Sequence, residues 1–413
     1  MSSQTPESRA QESPQAGLRR HVFYIPGYDP IHPRRYRELY RREAAEQGRI
    51  SGYEVTLKGR QGQQSYGWEV TGQIEGARSH ADIEVLVWSD IVRGSMGHGI
   101  AATYLALART AWVYVSTGAL FRLMRLRKGP VIAALYPVGF LLLQLALALA
   151  LAWGIFDALA WLGPLAQLPG ALAGLAAAYA VLRWFKARDG KFFAYYLMHD
   201  YAFSARYRGA NPPALESRLD SFRARIAEAL AGDVDEVLVV GHSSGAHLAV
   251  SILADLIRSG ARAKDGPALS FLSLGQVVPM VSFLPEAGRL RGDLAYLSTR
   301  PELFWLDVTA PGDGCAFALC DPVSVSGVAP EGKRWPLVIS AAFTQTLSPA
   351  RWQELKRRFF RLHFQYLCAF DRPGDYDYFR ITAGPRTLAE RFAGRAPSKS
   401  RIETPVNRYR GTT

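Results

Sequence analysis

The chain has 413 residues, enough for one large domain with additions or for two. Its 49 Lys+Arg against 36 Asp+Glu give a formal net charge of +13, a balance that suits nucleic acid or an anionic membrane surface, so the distribution of charge must decide. The three cysteines, Cys315, Cys320 and Cys368, argue against a disulfide framework and fit a reducing compartment; Cys315 and Cys320 have no second Cys/His pair to complete a zinc site.

Residues 1–20 are polar with no apolar run, and read as a disordered leader rather than a signal peptide. Residues 21–99 open the folded part. HVFYI (His21 to Ile25) is an expected strand, followed by the loop Pro26-Gly27-Tyr28-Asp29-Pro30. A charged helix, RRYRELYRREAAEQ, and a second strand, ADIEVLVW (Ala81 to Trp88), come next. Residues 100–128 are apolar but carry Arg109 and several hydroxyls, and are expected as a helix lying on a membrane surface.

Residues 129–185 differ from their flanks. Between Gly129 and Trp184 the charged residues are Asp157 and Arg183. One arm, Pro130 to Trp153, is long enough to cross a hydrocarbon core of ~30 Å at ~1.5 Å rise per residue. The second, Leu165 to Phe185, is weaker because of Pro169 and many alanines. A transmembrane hairpin is expected, in preference to a buried helix pair in a soluble core. Arg122, Arg125, Arg127 and Lys128 precede it, and Arg183, Lys186, Arg188 and Lys191 follow, which puts both outer ends and both termini in the cytoplasm. Anionic headgroups then account for much of the basic excess. No basic-aromatic module or DNA-binding motif appears, so nucleic acid is not the expected partner.

In residues 186–392, Pro213 to Leu230 sets Leu215, Leu219, Phe222 and Ile226 on one helical stripe. The apolar run Val237 to Val240 reads as a buried strand, and Ala246 to Arg258 as a helix stopped by Gly260. Between them lies Gly241-His242-Ser243-Ser244-Gly245, which fits G-x-S-x-G. ALSFLSLG (Ala268 to Gly275) and ELFWLDV (Glu302 to Val308) are further strands. Strands alternating with helices imply a mostly parallel, doubly wound α/β sheet, interrupted by the hairpin, with its site beyond the carboxyl ends of the strands. Residues 393–413 read as a basic tail.

In this arrangement the chain resembles the α/β-hydrolase superfamily, in particular its serine lipases and esterases, over roughly Val22 to Trp88 and Phe192 to Phe392. The motif GHSSG after VLVV carries the resemblance, supported by the PGY loop after the first strand. Two departures stand out. Pro26-Gly27 replaces the usual His-Gly, and the insertion precedes the elbow rather than following it. The resemblance implies a Ser243 nucleophile and the order Ser, acid, His. Downstream of the elbow only His247 and His363 are available. His247 lies one turn along the same helix, which leaves His363 as the base. Asp307, Asp313 and Asp321 compete for the acid; Asp313, in the loop TAPGDGCAF after its strand, is favoured, with Asp307 inside the strand and Asp321 in a turn. His21, His32, His80, His98 and His199 take structural readings, and no pair has metal-ligand spacing.

The resemblance further implies an oxyanion hole from the backbone N–H groups of Ser244 and Tyr28 and an acyl-enzyme route to ester hydrolysis, with neither cofactor nor metal. The hairpin adds the expectation of a lipid-like ester presented at the bilayer as substrate. A membrane-anchored binding module on a degenerate hydrolase fold is the alternative of a different class, and acyl transfer through the same triad is a third reading. A dinucleotide site would require G-x-G-x-x-G, which is absent.

Overall fold

The structure is a computed structural model that describes residues 17–60, 65–97, 99–263 and 265–413. Of the expected leader, residues 1–16 lie outside the described part, and so does His98.

Eight strands form one sheet in the order β2-β3-β4-β1-β5-β6-β7-β8. They are β1 (Arg19–Ile25), β2 (Glu54–Gly59), β3 (Gly67–Ile74), β4 (Ala77–Val85), β5 (Glu236–His242), β6 (Ala268–Leu274), β7 (Leu303–Thr309) and β8 (Leu337–Ser340). From β4 through β1 to β8 every pairing is parallel, while β2 and β3 add an antiparallel edge. The chain is therefore α/β with a mostly parallel, mixed sheet. β1 and β5 are adjacent although the hairpin separates them in sequence, with Tyr24 opposite Val240.

The central strands are apolar throughout because both faces are covered, as parallel strands require. Val22, Tyr24, Leu238 and Val240 face one core, and Phe23, Ile25, Val237 and Val239 face the other. β2, β3 and β8 went unread in the sequence. β2 is largely exposed and β8 has only four residues, so neither carries a long apolar run. β3 does alternate, burying Trp68, Val70 and Ile74 on one face.

The segment 100–128 forms two helices, Ile100–Ser116 and Ala119–Leu126, broken at Gly118, whose φ is +72°. The first packs on helix Ala194–Arg206 and leaves Leu105 and Trp112 72% and 71% exposed. Beyond them stand two helices long and apolar enough to span a membrane, Lys128–Ala160 and Pro164–Ala187, with mean hydropathies of 2.2 and 1.6. They pack on each other through small residues: a Cβ on Gly174 would lie 2.6 Å from the Ala152 carbonyl oxygen. Only 17% of each apolar window is buried.

The segment 393–413 is fixed along the body of the protein. Ile402 N–H donates to the Leu319 carbonyl at 2.7 Å and its own carbonyl accepts from Asp321 N–H at 2.9 Å, while Arg291 Nε donates to the Gly411 carbonyl at 2.6 Å. Hydrogen bonds hold it together with a few packed side chains, Ile402 and Val406 among them, too few to make a core pattern in the sequence.

Candidate active site

β5 ends at His242 and the helix Gly245–Arg258 begins three residues later, so Ser243 sits on a very tight turn. Its φ is +56°, in the left-handed region where a residue with a Cβ is strained. Hydrogen bonds hold it there: Ser243 N–H to the Leu274 carbonyl at 2.9 Å, and Ala246 N–H to the Ser243 carbonyl at 3.1 Å. The flanking glycines are required by close backbone approach. A Cβ on Gly241 would lie 2.7 Å from Ala246 Cα, and one on Gly245 would lie 2.1 Å from the Ile25 carbonyl oxygen. The strain is thus built in by packing of the turn against β1, and it lifts the serine hydroxyl into a cavity.

That cavity, of about 110 Å³, is lined by Ser243, Ser244, Gly27, Tyr28 and His363 among others. The loop after β1 comes so close that a Cβ on Gly27 would lie 3.0 Å from Ser243 Cβ. Four of the five residues singled out in the sequence, Ser243, Ser244, Tyr28 and His363, therefore share one wall. The fifth lies immediately behind it.

Asp313 is 2% exposed, in the loop after β7. Its Oδ2 accepts from His363 Nδ1 at 2.7 Å and from the Tyr366 hydroxyl at 3.1 Å, and its Oδ1 accepts from Cys315 N–H at 2.8 Å. Burial alone would raise the carboxyl's pKa, but the His363 charge and these hydrogen bonds bring it below the ordinary aspartate value. Donation from Nδ1 fixes the tautomer in which Nε2 is free to accept a proton. Tyr366 is itself located by Ala310 N–H, which donates to its oxygen at 2.9 Å.

The other acids have different partners. Asp307 is wholly buried, accepts from the Ser273 hydroxyl at 2.5 Å, and is pushed by burial up to about 8. Asp321 caps the short helix Pro322–Val325, accepting from the N–H groups of Val323 and Ser324, both at 3.0 Å. His247 is buried inside the elbow helix, and burial lowers its pKa to about 4.

Comparisons with family models, with curated proteins and with solved structures give no match. The candidate site therefore stands on its own geometry.

Three features of that geometry escaped the sequence reading. His242, the variable residue of the motif, stacks its ring on His363 with centroids 4.9 Å apart. Its Nε2 donates to the His363 carbonyl at 3.1 Å, and Tyr24 OH lies 3.3 Å from its Nδ1. Burial and the neighbouring His363 push its pKa down to about 3, so at neutral pH it is an uncharged brace. Arg35, paired with Asp29 at 2.7 Å, and Asp200 also line the cavity. Asp200 is surrounded by protein, which raises its pKa to about 7 despite the opposing influence of His363. A sequence scan could have flagged His242 by its place in the motif; nothing local marks Arg35 or Asp200.

Asp313, Cys315 and His363 bring potential metal-ligand atoms within 4.8 Å of one another. Both oxygens of Asp313 already accept hydrogen bonds, one of them from the His363 imidazole. Burial and the nearby Asp313 raise the Cys315 thiol well above its usual value, so a thiolate is not favoured. This chemistry fits an acid–imidazole pair better than a metal centre.

Proposed function

We propose that this chain is a membrane-anchored serine hydrolase of α/β-hydrolase type that cleaves carboxylic esters presented at the bilayer. The observation that carries the reading is the strained Ser243 sharing a cavity with His363, whose Nδ1 is held by the buried Asp313 at 2.7 Å. The sheet supports it too: the serine follows the central strand β5, the acid follows β7 and the histidine follows β8.

In the proposed reaction His363 Nε2 takes the Ser243 proton as the hydroxyl attacks the acyl carbonyl. The imidazolium so formed is stabilised by Asp313, which keeps its own charge. The backbone N–H of Ser244, at the start of the elbow helix, and that of Tyr28 receive the oxyanion. His363 then protonates the leaving alkoxide, and water attacks the acyl-enzyme by the reverse sequence. His242 and Tyr366 hold the imidazole and the carboxylate in place.

The hairpin supports a substrate delivered at the membrane. Pro130, two residues into its first arm, lines the Ser243 cavity, and Gly129 lies against Gly314 in the loop that carries Asp313. The cavity mouth is thereby tied to the root of the arm. Confinement there raises the effective concentration of lipid esters without any new contact.

The test is labelling with a fluorophosphonate. Wild type should react, and Ser243→Ala should lose labelling completely. Undiminished labelling of that variant overturns the assignment.

A further inference from the structure

Helix Ala194–Arg206 has two working faces. Leu197, Asp200, Tyr201 and Ser204, at helical spacing, face the Ser243 cavity. His199, Ala202, Phe203 and Arg206 face the other way, into a second cavity of about 560 Å³ closed on its far side by helix Ile100–Ser116. That volume is in the range of small-molecule sites, typically about 300–1,000 Å³.

The wall of this cavity combines cations and apolar surface. Arg109 Nη2 donates to the Arg206 carbonyl at 3.1 Å, and the Arg206 guanidinium lies 5.7 Å from the Tyr207 ring centre. Among the described residues neither arginine pairs with a carboxylate. Both side chains are exposed and so are open to an anion at the cavity. Thr110, 7% exposed, also lines the cavity, with its hydroxyl oxygen buried away from it. The remaining wall includes Leu105, Ala106 and Phe203.

The position of the cavity narrows the class of anion. Tyr104 OH donates to the Leu141 carbonyl at 2.9 Å, which pins helix Ile100–Ser116 against the first apolar arm. The helix that walls the cavity thus lies beside the arm, whose exposed apolar residues include Ile132, Leu142 and Leu143. Leu105 and Trp112 are exposed on that same helix.

We propose that this cavity binds an anionic phospholipid, with the phosphate between Arg109 and Arg206 and the acyl chains leaving over Leu105 and Phe203. The inference rests on the membrane half of the proposed function and is independent of the chemistry at Ser243. Electrostatic attraction of paired basic residues to anionic lipid supplies the selectivity.

The test uses full-length protein in a neutral detergent, with thermal unfolding followed during titration with dioleoylphosphatidylglycerol, dioleoylphosphatidylcholine or inorganic phosphate. Phosphatidylglycerol should raise the melting temperature saturably, and the other two should raise it little. Arg109→Gln with Arg206→Gln should weaken the half-saturation concentration about tenfold or more. Arg109→Lys with Arg206→Lys should retain most of the response, which separates lost charge from lost packing. An unchanged response in the Gln pair overturns the proposal, as does a failure of the Lys pair to respond. An equal response to phosphatidylcholine overturns the selectivity for an anionic headgroup, and an equal response to inorganic phosphate replaces the lipid by a free anion. Fluorophosphonate labelling of Ser243 should be unchanged in the Gln pair. Loss of labelling in wild type would overturn the catalytic reading while leaving the lipid response to be judged separately.

Discussion

Val237–Val240 in β5 and Leu147–Leu151 in the first long helix are both unbroken apolar runs, yet the strand residues are fully buried while Leu147, Leu149 and Leu151 are 50%, 58% and 44% exposed. In β5 successive side chains point to opposite faces, and each face has a core to enter. In the helix only one stripe finds protein, at Leu141, Gln144 and Ala148, spaced by three and four residues. The same composition thus marks the best-covered element of the molecule and one of the least covered. The difference shows that an apolar run states a need for apolar surroundings without stating who provides them. For β5 the protein does so. For the hairpin, the bilayer proposed above would.

The largest effect expected on the catalytic side of this contrast separates the two buried aspartates. Asp313→Asn should slow fluorophosphonate labelling by about 10⁴-fold through the wrong imidazole tautomer, with the fold intact. Asp307→Asn should leave labelling within a few-fold. It should also melt higher than wild type at pH 9. Burial holds the Asp307 carboxyl up to about 8, above its unfolded value, so its share of stability is full at acid pH and is lost as pH rises through that value. The asparagine has no such loss. The reverse ranking of labelling rates in folded protein would move the acid's role to Asp307.

A smaller effect tests the contrast itself. Val239→Ala removes packing from a closed core and should cost about 2–3 kcal/mol. Leu149→Ala, on the exposed side of the arm, should cost less than about 0.5 kcal/mol in detergent-solubilised protein. Equal costs in denaturant titrations would mean that the arm is packed in a core after all.

The last prediction is qualitative. Asp157→Cys, at the far end of the first arm, should react with an impermeant thiol reagent in intact cells, and Arg395→Cys should not. Reaction at both positions, or only at 395, contradicts the expected topology.

Much of this organisation is legible in the sequence wherever one local signal is strong. Val237–Val240 followed by two glycines around Ser243 identifies the strand–turn–helix, because such close backbone approach leaves room for nothing but glycine there. The hairpin is legible because it is long and nearly uncharged. Signals that depend on distant partners are not. β8 is four residues long and counts as a strand only because β7 lies beside it. Arg35 lies in an ordinary charged helix until Asp29 and the cavity are folded around it. Segment 393–413 has no apolar periodicity because few of its side chains, Ile402 and Val406 among them, pack on the core, and its other contacts are hydrogen bonds and ion pairs to residues distant in sequence.

The order of synthesis gives the hairpin's place in the chain a further meaning. β1 and β4 are made before the two long helices, whereas β5 to β8, and with them Ser243, Asp313 and His363, are made after them. β1 must wait for β5 to cover its open edge, since the two are hydrogen-bonded neighbours. A ribosome therefore releases the apolar arms before any residue of the candidate triad exists, and chains fold largely from the N-terminal end as they emerge. The reactive turn can close only on a nascent chain whose apolar arms have already been made. On the proposed reading, no interval in biogenesis would hold a competent esterase loose in the cytosol.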